Sequence, residues 1–598
     1  MRPGEQGAVA AVEAPQRLST GVKLAFGGPA FAGAAMAIPI GIFMPPFYSD
    51  VVLAPLGMIA LATAVARAFD ALTDPVVGWL SDRTRSRWGR RKPWIALGTP
   101  LSALFFWLLF APPADLGPGS AVLWFGITFA FFFLFQTFEG VPLAALGAEL
   151  TSDYNERSSV FGVRAVFLAL GTIVGAITPA ILLRSMGPGH EREVFSSMAA
   201  VYGVVWMLLM FLMLRVVPER QEYASRPVNP LVPGVRRALR NRPFSILLLS
   251  AVVGAIPAAV PALLLQYFVR YVLQPEEPMT WVSLFLFAYL ATGLLFVPVW
   301  MRLSQRIGKL RTFVSASSVG VLASVGYYFL GPGDIQIALA LYVVSGTQSM
   351  AGTFLVPAMA ADVIDYDELR TGMRREAQFT SFWAIVPKLV SIPGSSVPLA
   401  ILAAVGYVPN VVQAPDVQWT IQALYSVFPA AFYVAALLII WRYPISDEAH
   451  VRIREGIAAH QRGENVIDPL TGANLRPPTT SAREAEADWF LDYFSPSELR
   501  LAASQGVSRV LPRVWAATGL CLVAAVGAGV MAFAGIDSLE DRPHPLTVLG
   551  VVVSGLSFTG FIFHALRIGP ARRLSRADPG REVLAAHLDA LDSGAGLR

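Results

Sequence analysis

Apolar stretches long enough to cross a membrane recur along nearly the whole chain, and this pattern limits the possible folds more than any other feature. A helix that crosses the hydrocarbon core needs about 20 predominantly apolar residues. Only 15% of the residues are charged and 55% are hydrophobic, whereas soluble domains carry about 25% charged residues. The sequence therefore predicts an all-α polytopic membrane protein.

The apolar stretches predict fourteen spans. Twelve lie near 22–48, 53–80, 93–112, 120–149, 158–183, 196–217, 244–272, 280–304, 312–331, 335–361, 377–406 and 419–442. A further pair lies near 511–535 and 545–567. Proline and glycine inside these stretches are compatible with spanning helices, because neighbouring helices satisfy the freed backbone groups.

Loop charges predict the orientation of these spans. The loops after the second, sixth, eighth and tenth spans are rich in arginine, whereas PPADLGPGS, GPGD and VPNVVQAPDVQW contain no lysine or arginine. By the positive-inside rule both termini are cytoplasmic. We therefore expect a multi-pass protein of the cell (inner) membrane. Its pI of about 9.3 reflects the arginine-rich loops rather than a nucleic-acid partner.

The first twelve spans divide into two sets of six around a basic loop, and weak echoes between the halves suggest a repeat. Parallel repeats of six spans with a substrate site between them are a known transporter plan. The final pair of spans contains no acid or lysine, which favours a packing or anchoring hairpin. The predicted regions are an N-terminal cytoplasmic tail (1–21), a first six-helix bundle (22–217), a central cytoplasmic loop (218–243), a second six-helix bundle (244–442), a cytoplasmic linker (443–510), the extra helix pair (511–567) and a cytoplasmic tail (568–598).

Two acids, Asp70 and Asp74, lie one helical turn apart in the second span, in FDALTDPVVGW. Ionisable residues at membrane depth usually face the bundle interior and have functional roles. Two neighbouring carboxylates repel each other, so they require a cation, a shared proton or an arginine. Carboxylate and hydroxyl oxygens suit a hard cation. The pair predicts a coupling site for Na⁺ or H⁺; the alternative is a structural salt bridge from Arg67 to one acid.

Four further residues inside predicted spans are candidates for the substrate cavity. Glu139 could join the cation site, face the cavity or pair with Arg164, and Arg164 could instead reach the membrane interface. Lys388 requires a carboxylate partner or a polar substrate. Trp383, about one turn before it, is either a stacking platform or a packed aromatic.

Charged residues outside the spans predict a network that gates the carrier. The stretch SDRTRSRWGRRKP predicts a tight turn that pairs with helix ends of the opposite bundle as a conformational latch. A second cluster lies in DVIDYDELRTGMRRE, where acids pair with arginines. The residues assigned to this network are Arg67, Asp82, Arg83, Gly89, Arg90, Arg91, Asp362, Asp365 and Arg374.

Five motifs in order resemble the glycoside–pentoside–hexuronide:cation symporters, a branch of the major facilitator superfamily. They are DALTDPVVGWLSDRTRSRWGRRKPWI, VPLAALGAELTSDYNERSSVFGVR, ADVIDYDELRTGMRREAQFTSFWAIVPK, GYVPN and EAHVRIREGIAAHQR. The resemblance covers roughly residues 22–462 and implies the major facilitator fold, with two pseudo-symmetric six-helix bundles. The extra helix pair falls outside it.

The resemblance also implies roles for particular residues. Asp70, Thr73, Asp74 and Thr137 match the family's cation site, and Arg164 and Lys388 match charged positions of the sugar cavity or its charge network. Two aspartates that engage sugar in a galactoside carrier of the family are replaced by Ala34 and Gly140. The small, apolar first span suits a less hydroxylated or partly apolar substrate, and vertebrate sodium-coupled lysophospholipid transporters share the DAxTDP pattern.

These features together predict a secondary symporter that works by alternating access as a monomer, with Na⁺ or H⁺ as coupling ion and no other cofactor. The expected substrate is a small solute, a sugar, glycoside or uronide; a lysolipid is the alternative. A membrane-embedded enzyme, such as a lipid-modifying transferase, is a remote alternative. It would need a metal-binding cluster or a nucleophile–base pair, whereas the six histidines are scattered and the single cysteine, Cys521, lies in an apolar run.

Overall fold

A computed structural model describes residues 18–151, 154–187, 189–219, 231–372, 376–477, 490–534, 545–576, 583–585 and 587–588. Regular structure in these ranges is helical, apart from one antiparallel pair of two-residue strands, β1 (Val466–Ile467) and β2 (Asn474–Leu475). The predicted all-α class is confirmed.

The first part of the chain forms nine α-helices of different lengths within the described ranges. They are α1 (Thr20–Gly27), α2 (Pro29–Ile38), α3 (Met44–Pro46), α4 (Leu56–Arg83), α5 (Lys92–Phe110), α6 (Pro118–Glu149), α7 (Tyr154–Met186), α8 (Glu191–Val216) and α9 (Leu231–Arg240). The first predicted span is interrupted by π-helical turns at Pro39–Phe43 and Phe47–Val51. Prolines at 39, 45 and 46 lack a backbone N–H, so the regular hydrogen-bond pattern cannot continue through them.

The second part of the chain repeats this architecture and extends it. Its helices are α10 (Arg242–Phe268), α11 (Pro278–Ile307), α12 (Lys309–Tyr327), α13 (Ile335–Gln348), α14 (Ala351–Thr371), α15 (Glu376–Ala404), α16 (Pro415–Tyr425), α17 (Val427–Ile440), α18 (Asp447–Gln461), α19 (Pro496–Gln505), α20 (Val510–Ala534), α21 (Pro545–Ala565) and α22 (Ile568–Arg576). Polar side chains satisfy the free N–H groups at several helix starts: Asn241 caps α10, Ser446 caps α18 and Ser495 caps α19.

Within the described ranges, thirteen helical stretches are long and apolar enough to cross a membrane, judged by length and composition. They correspond to thirteen of the fourteen predicted spans. The ninth predicted span is also helical, as the 19-residue helix α12, but it is not among the thirteen. Its four serines, Lys309 and Arg311 make it more polar than its neighbours.

The chain divides into two compact units, of which the first comprises residues 1–40, 73–111 and 131–226. Within this unit α2 packs closely on α7. A side chain at Gly171 would bring its Cβ to 1.9 Å from the carbonyl oxygen of Phe31. Glycine is required at this position because the two backbones are in direct contact, as is common between membrane helices.

The second unit comprises residues 41–72, 112–130 and 227–598. One core cluster joins α10, α14, α15 and α18 through buried residues that include Phe244, Val363 and Phe379. The helices α20 and α21 form a hairpin, and α21 packs against α15. A separate cluster, which includes Phe494, Leu499 and Leu574, joins the residues on both sides of this hairpin.

Candidate functional site

Helix α4 carries both acids of the predicted cation site. It runs without interruption from Leu56 to Arg83, through a mainly apolar sequence that also contains Arg67. Asp70 is 5% exposed and lies in the part of α4 that belongs to the second unit, whereas Asp74 is half-buried and lies in the part that belongs to the first.

Asp74 is hydrogen-bonded to a residue that the sequence predicted as its co-ligand. The Thr137 hydroxyl on α6 donates to Asp74 Oδ1 over 3.0 Å, and Thr137 is buried. Thr73, the neighbour of Asp74, is half-buried. A carboxylate with a neighbouring hydroxyl offers oxygen ligands to a hard cation, or an acceptor for a proton. Both contacting residues belong to the first unit.

Asp70 is close to a lysine far away in the sequence. The ammonium of Lys388 on α15 lies 3.3 Å from Asp70 Oδ1, and 37% of the Lys388 side chain is exposed. Arg67, one turn earlier on α4, also attracts Asp70 electrostatically, and its guanidinium lies 5.8 Å from the centre of the Phe129 ring. The sequence predicted a carboxylate partner or a polar substrate for Lys388, and the structure gives it Asp70 as a carboxylate partner within the second unit.

Glu139 is turned toward α5 and α8. It is 2% exposed, and its Oε2 accepts a hydrogen bond from Ser102 over 3.2 Å. The indole N–H of Trp206 in turn donates to Ser102 over 3.3 Å. The other carboxylate oxygen of Glu139, Oε1, has no hydrogen-bond partner among the described residues. Among the three sequence-based alternatives, a pair with Arg164 is not formed in the described part of the chain.

The remaining cavity candidates differ in their surroundings. Arg164 lies half-buried on α7. Trp383 on α15 packs against Phe244, with ring centres 6.4 Å apart. Its indole N–H is buried and has no hydrogen-bond partner within the described ranges, so the residue is packed but retains a free donor.

The basic turn after α4 is held inside the first unit. Gly89 has φ +100°, and a Cβ there would lie 2.2 Å from Glu219 Oε2. This space lets Glu219 accept hydrogen bonds from the backbone N–H groups of Arg90 (2.9 Å), Arg91 (3.1 Å) and Lys92 (3.3 Å).

The guanidinium groups of this turn bind a helix end. Arg90 and Arg91 lie 2.8 and 2.7 Å from Glu149 at the end of α6. These partners belong to the same unit as the turn, rather than to the opposite bundle as the sequence had indicated. Arg83 is exposed, and the side chain of Asp82 lies outside the described part of the structure.

The second predicted charge cluster lies at the end of α14. The Lys309 ammonium is 2.6 Å from Asp362, and His450 on α18 is 3.0 Å from Asp365. Arg374, which the sequence assigned to this cluster, lies outside the described residues.

Asp50 is a buried acid that the sequence analysis missed. It lies in the π-helical turn Phe47–Val51 and is 6% exposed. Its carboxylate accepts hydrogen bonds from Arg270 (2.8 Å), Tyr271 (2.8 Å) and Tyr407 (2.5 Å), and Asn410 donates to its carbonyl oxygen over 2.7 Å. In the sequence, Asp50 is a single acid between two apolar runs, in the short segment between the first two predicted spans.

The donor sets at these acids suit an alkali cation or a proton. Among the described residues, no group of three or more histidine, cysteine, aspartate or glutamate side chains is arranged to hold a metal ion. A carboxylate with hydroxyl groups is a weak, oxygen-only set of the kind that binds hard cations.

Comparison with known proteins identifies the family. A family model described as "MFS/sugar transport protein" matches residues 25–447. The chain belongs to this family. The resemblance that the sequence motifs indicated is thereby confirmed, and the matched region ends before the extra helix pair.

Individual relatives and solved structures extend this result. The glucuronide carrier protein homolog of Escherichia coli is 28% identical over 415 residues, which are 68% of this chain and 88% of that protein. The sodium-dependent lysophosphatidylcholine symporter 1-B of Danio rerio is 27% identical over 503 residues, 77% of this chain and 93% of that protein. A bacterial homologue of the human lysosomal transporter Spinster has a TM-score of 0.51 at 15% identity, covering 71% of this chain and 98% of that one. The last likeness supports the fold alone, and the predicted major facilitator fold is confirmed.

Proposed function

We propose that the protein is a secondary symporter that couples Na⁺ or H⁺ movement to uptake of a small organic solute, with a sugar, glycoside or uronide as the first candidate. One observation carries this proposal: a transmembrane helix of a transporter-family member brings one acid to a lysine and another to a hydroxyl. Charges of this kind inside a membrane are costly and are retained where ions or substrates bind.

The two acids of α4 have different proposed roles in coupling. Asp70 is neutralised by the Lys388 ammonium, whereas the Thr137 hydroxyl that contacts Asp74 carries no charge. We assign the arriving cation to Asp74 because the hydroxyl groups of Thr137 and Thr73 beside it can supply additional oxygen ligands. A proton would achieve the same neutralisation by converting Asp74 to its neutral form.

Lys388 connects the ion site to the substrate. Because part of its side chain is exposed, an anionic or hydroxyl-rich solute can bind the ammonium in competition with Asp70. The buried indole N–H of Trp383, on the same helix, is a second available donor. The name of the E. coli relative supports a uronide as substrate.

The charge clusters supply the contacts that alternate during transport. With cytoplasmic termini, the Asp50 cluster lies at the outer ends of the helices and stabilises the outward-closed state. The clusters at Glu149 and Asp362 lie at the inner ends. We further propose a monomeric carrier of the cell membrane, built from the six-helix bundles 22–217 and 244–442.

Reconstituted vesicles test this function. Purified protein in liposomes should accumulate a labelled glucuronide when an inward Na⁺ or H⁺ gradient is imposed, and should not do so without a gradient. Thermal stability measured against a panel of sugars, uronides, lysolipids and Na⁺ would identify ligands, because a ligand of the folded state raises its stability by mass action. Gradient-independent chemical conversion of a substrate would instead indicate an enzyme.

A lysolipid is the second candidate substrate. Two observations favour it: the small, apolar first span, AFAGAAMAIPIGIFMPPF, and the likeness to a lysophosphatidylcholine symporter over 77% of this chain. Uptake of labelled lysolipid that excess glucuronide does not reduce would select this candidate.

A further inference from the structure

Arginines of the central-loop helix α9 bind an acid of the C-terminal extension. Arg237, which is 4% exposed, forms an ion pair with Asp492, which is 2% exposed. Arg240 Nη1 lies 2.6 Å from the same carboxylate. His587 lies 3.7 Å from it. These contacts join two segments that are more than 250 positions apart.

A second acid lies beside the first. Glu498 at the start of α19 forms an ion pair with Arg567, whose side chain is 1% exposed, and lies 3.9 Å from Arg236. Glu498 also accepts hydrogen bonds from the backbone and hydroxyl of Ser495. The two acids therefore fix α9, α19 and the end of the extra hairpin to each other.

Among the described residues of this junction, positive charge exceeds negative charge. Within the described ranges it contains the guanidinium groups of Arg236, Arg237, Arg240 and Arg567 but only the carboxylates of Asp492 and Glu498. Arg236 Nη1 and Arg240 Nη2 are buried and have no hydrogen-bond partner there. Burial and the charges of Arg567 and Arg240 lower the pKa of Arg236 to about 10. Buried donors of this kind are costly unless an acceptor reaches them.

The junction lies beside two stretches that are long and apolar enough to cross a membrane, Arg242–Leu273 and Thr547–Arg576. Helix α9 ends at Arg240, two residues before α10 begins at Arg242, and Arg567 follows α21, which ends at Ala565. The exposed side chains of Arg572, Arg573 and Arg576 follow on α22. Basic residues at this depth are suited to lipid phosphates.

We propose that this junction binds a phosphate-bearing anion, either the headgroup of an anionic phospholipid or a free phosphate compound. Guanidinium groups match phosphate oxygens with paired hydrogen bonds. The side chains of Arg236 and Arg240 are 16% and 21% exposed, so an anion can approach from the surface. The anion would balance the excess positive charge at the exposed parts of these side chains, and a small shift of the two guanidinium groups would let its oxygens accept from the buried Nη atoms.

Thermal unfolding of the full-length protein in detergent tests this site. Phosphatidylglycerol, inorganic phosphate and phosphatidylcholine are titrated separately at constant ionic strength. Stabilisation by phosphatidylglycerol but not by phosphate would identify the lipid headgroup as the ligand. Stabilisation by phosphate as well would identify a free phosphate compound as a ligand. Either result supports the site. Phosphatidylcholine should stabilise less, because its headgroup carries no net negative charge.

Two variants separate this site from general surface attraction. Arg236→Gln should weaken the apparent affinity for the stabilising anion about tenfold, whereas Arg513→Gln, at an exposed arginine of α20, should leave it unchanged. Arg236→Lys keeps the charge without the paired donors and should weaken it a few-fold. Equal effects of Arg236→Gln and Arg513→Gln, or equal stabilisation by all three additives, would overturn the proposal.

Discussion

The acids of α4 and those of the junction between α9 and the C-terminal extension have different kinds of neighbours. Asp70 lies 3.3 Å from a lysine whose side chain is 37% exposed, and Asp74 contacts a neutral hydroxyl. Asp492 instead forms ion pairs with the buried Arg237 and with Arg240. The first arrangement leaves room for exchange with a mobile ion, whereas the second fixes chain segments permanently. Burial alone therefore does not identify an ion site; the mobility and charge of the partner do.

Removing the proposed cation-binding acid should have the largest effect. In Asp74→Asn the side chain keeps its size but loses its negative charge, so, if Asp74 binds the coupling cation as we propose, gradient-driven accumulation should be abolished in reconstituted vesicles. Exchange of substrate down its own gradient should persist, which controls for folding. Normal accumulation by Asp74→Asn would show that the ion binds elsewhere.

Asp492→Asn should lower stability without changing ion affinity. The substitution leaves buried arginines without their counter-charge, and such losses cost about 3 kcal/mol. Thermal unfolding measures the loss, with Asp115→Asn, at an exposed site, as control. A changed Na⁺ or H⁺ dependence of uptake would contradict the division between the two regions.

The contribution of Asp492 should depend on pH. Burial opposes its ionisation, but the nearby His587 ring and the charges of Arg237 and Arg240 outweigh this effect and lower its pKa to about 2. A carboxyl with a depressed pKa stabilises the fold above its unfolded pKa of about 4. The stability difference between wild type and Asp492→Asn should therefore be constant above about pH 4 and shrink as the pH falls toward 2.

Lys388→Gln should make stability depend on the cation. Without the ammonium, the buried Asp70 loses one of its positively charged neighbours, so the variant should lose about 2 kcal/mol in cation-free buffer, with the loss reduced by the partial exposure of the lysine. Added Na⁺, compared with choline at equal ionic strength, should restore more stability than it adds to wild type. The double variant Asp70→Asn/Lys388→Gln should remove this extra response.

Thr137→Val should have the smallest effect. It removes one hydroxyl beside Asp74 while keeping the shape, and a single such contact is worth about 1 kcal/mol, or about fivefold in cation affinity. Thr137→Ser keeps the hydroxyl and should bind the cation as wild type does. Equal losses in both variants would attribute the effect to packing.

Much of the fold follows from the sequence because membrane spans are local features. Apolar runs of about 20 residues predicted thirteen stretches that the structure forms as long helices, and α12 is helical despite its polar residues. The interruptions of the first span at its prolines were not predicted, because a hydropathy pattern does not specify the hydrogen-bond register inside a span.

Contacts between distant residues were harder to predict. The sequence predicted a carboxylate or a polar substrate as the partner of Lys388. It did not indicate that this partner is Asp70, which is 318 positions away. The role of Asp50 was not predicted, because its tyrosine partners lie 221 and 357 positions away in the sequence. The basic turn was expected to meet the opposite bundle, whereas it contacts Glu149 and Glu219 of its own unit, since charge alone does not determine which helix end is nearest.

The Glu219 carboxylate has a mechanical consequence for the first unit. By accepting three backbone hydrogen bonds, it ties the end of α8 to the turn that joins α4 and α5. We therefore expect a tilt of α8 to move the start of α5 and the turn that connects it to α4, the helix that carries Asp74. A spin label on the exposed face of α8, at Leu208 for example, would thus follow the acid-bearing helix through a transport cycle without disturbing its chemistry.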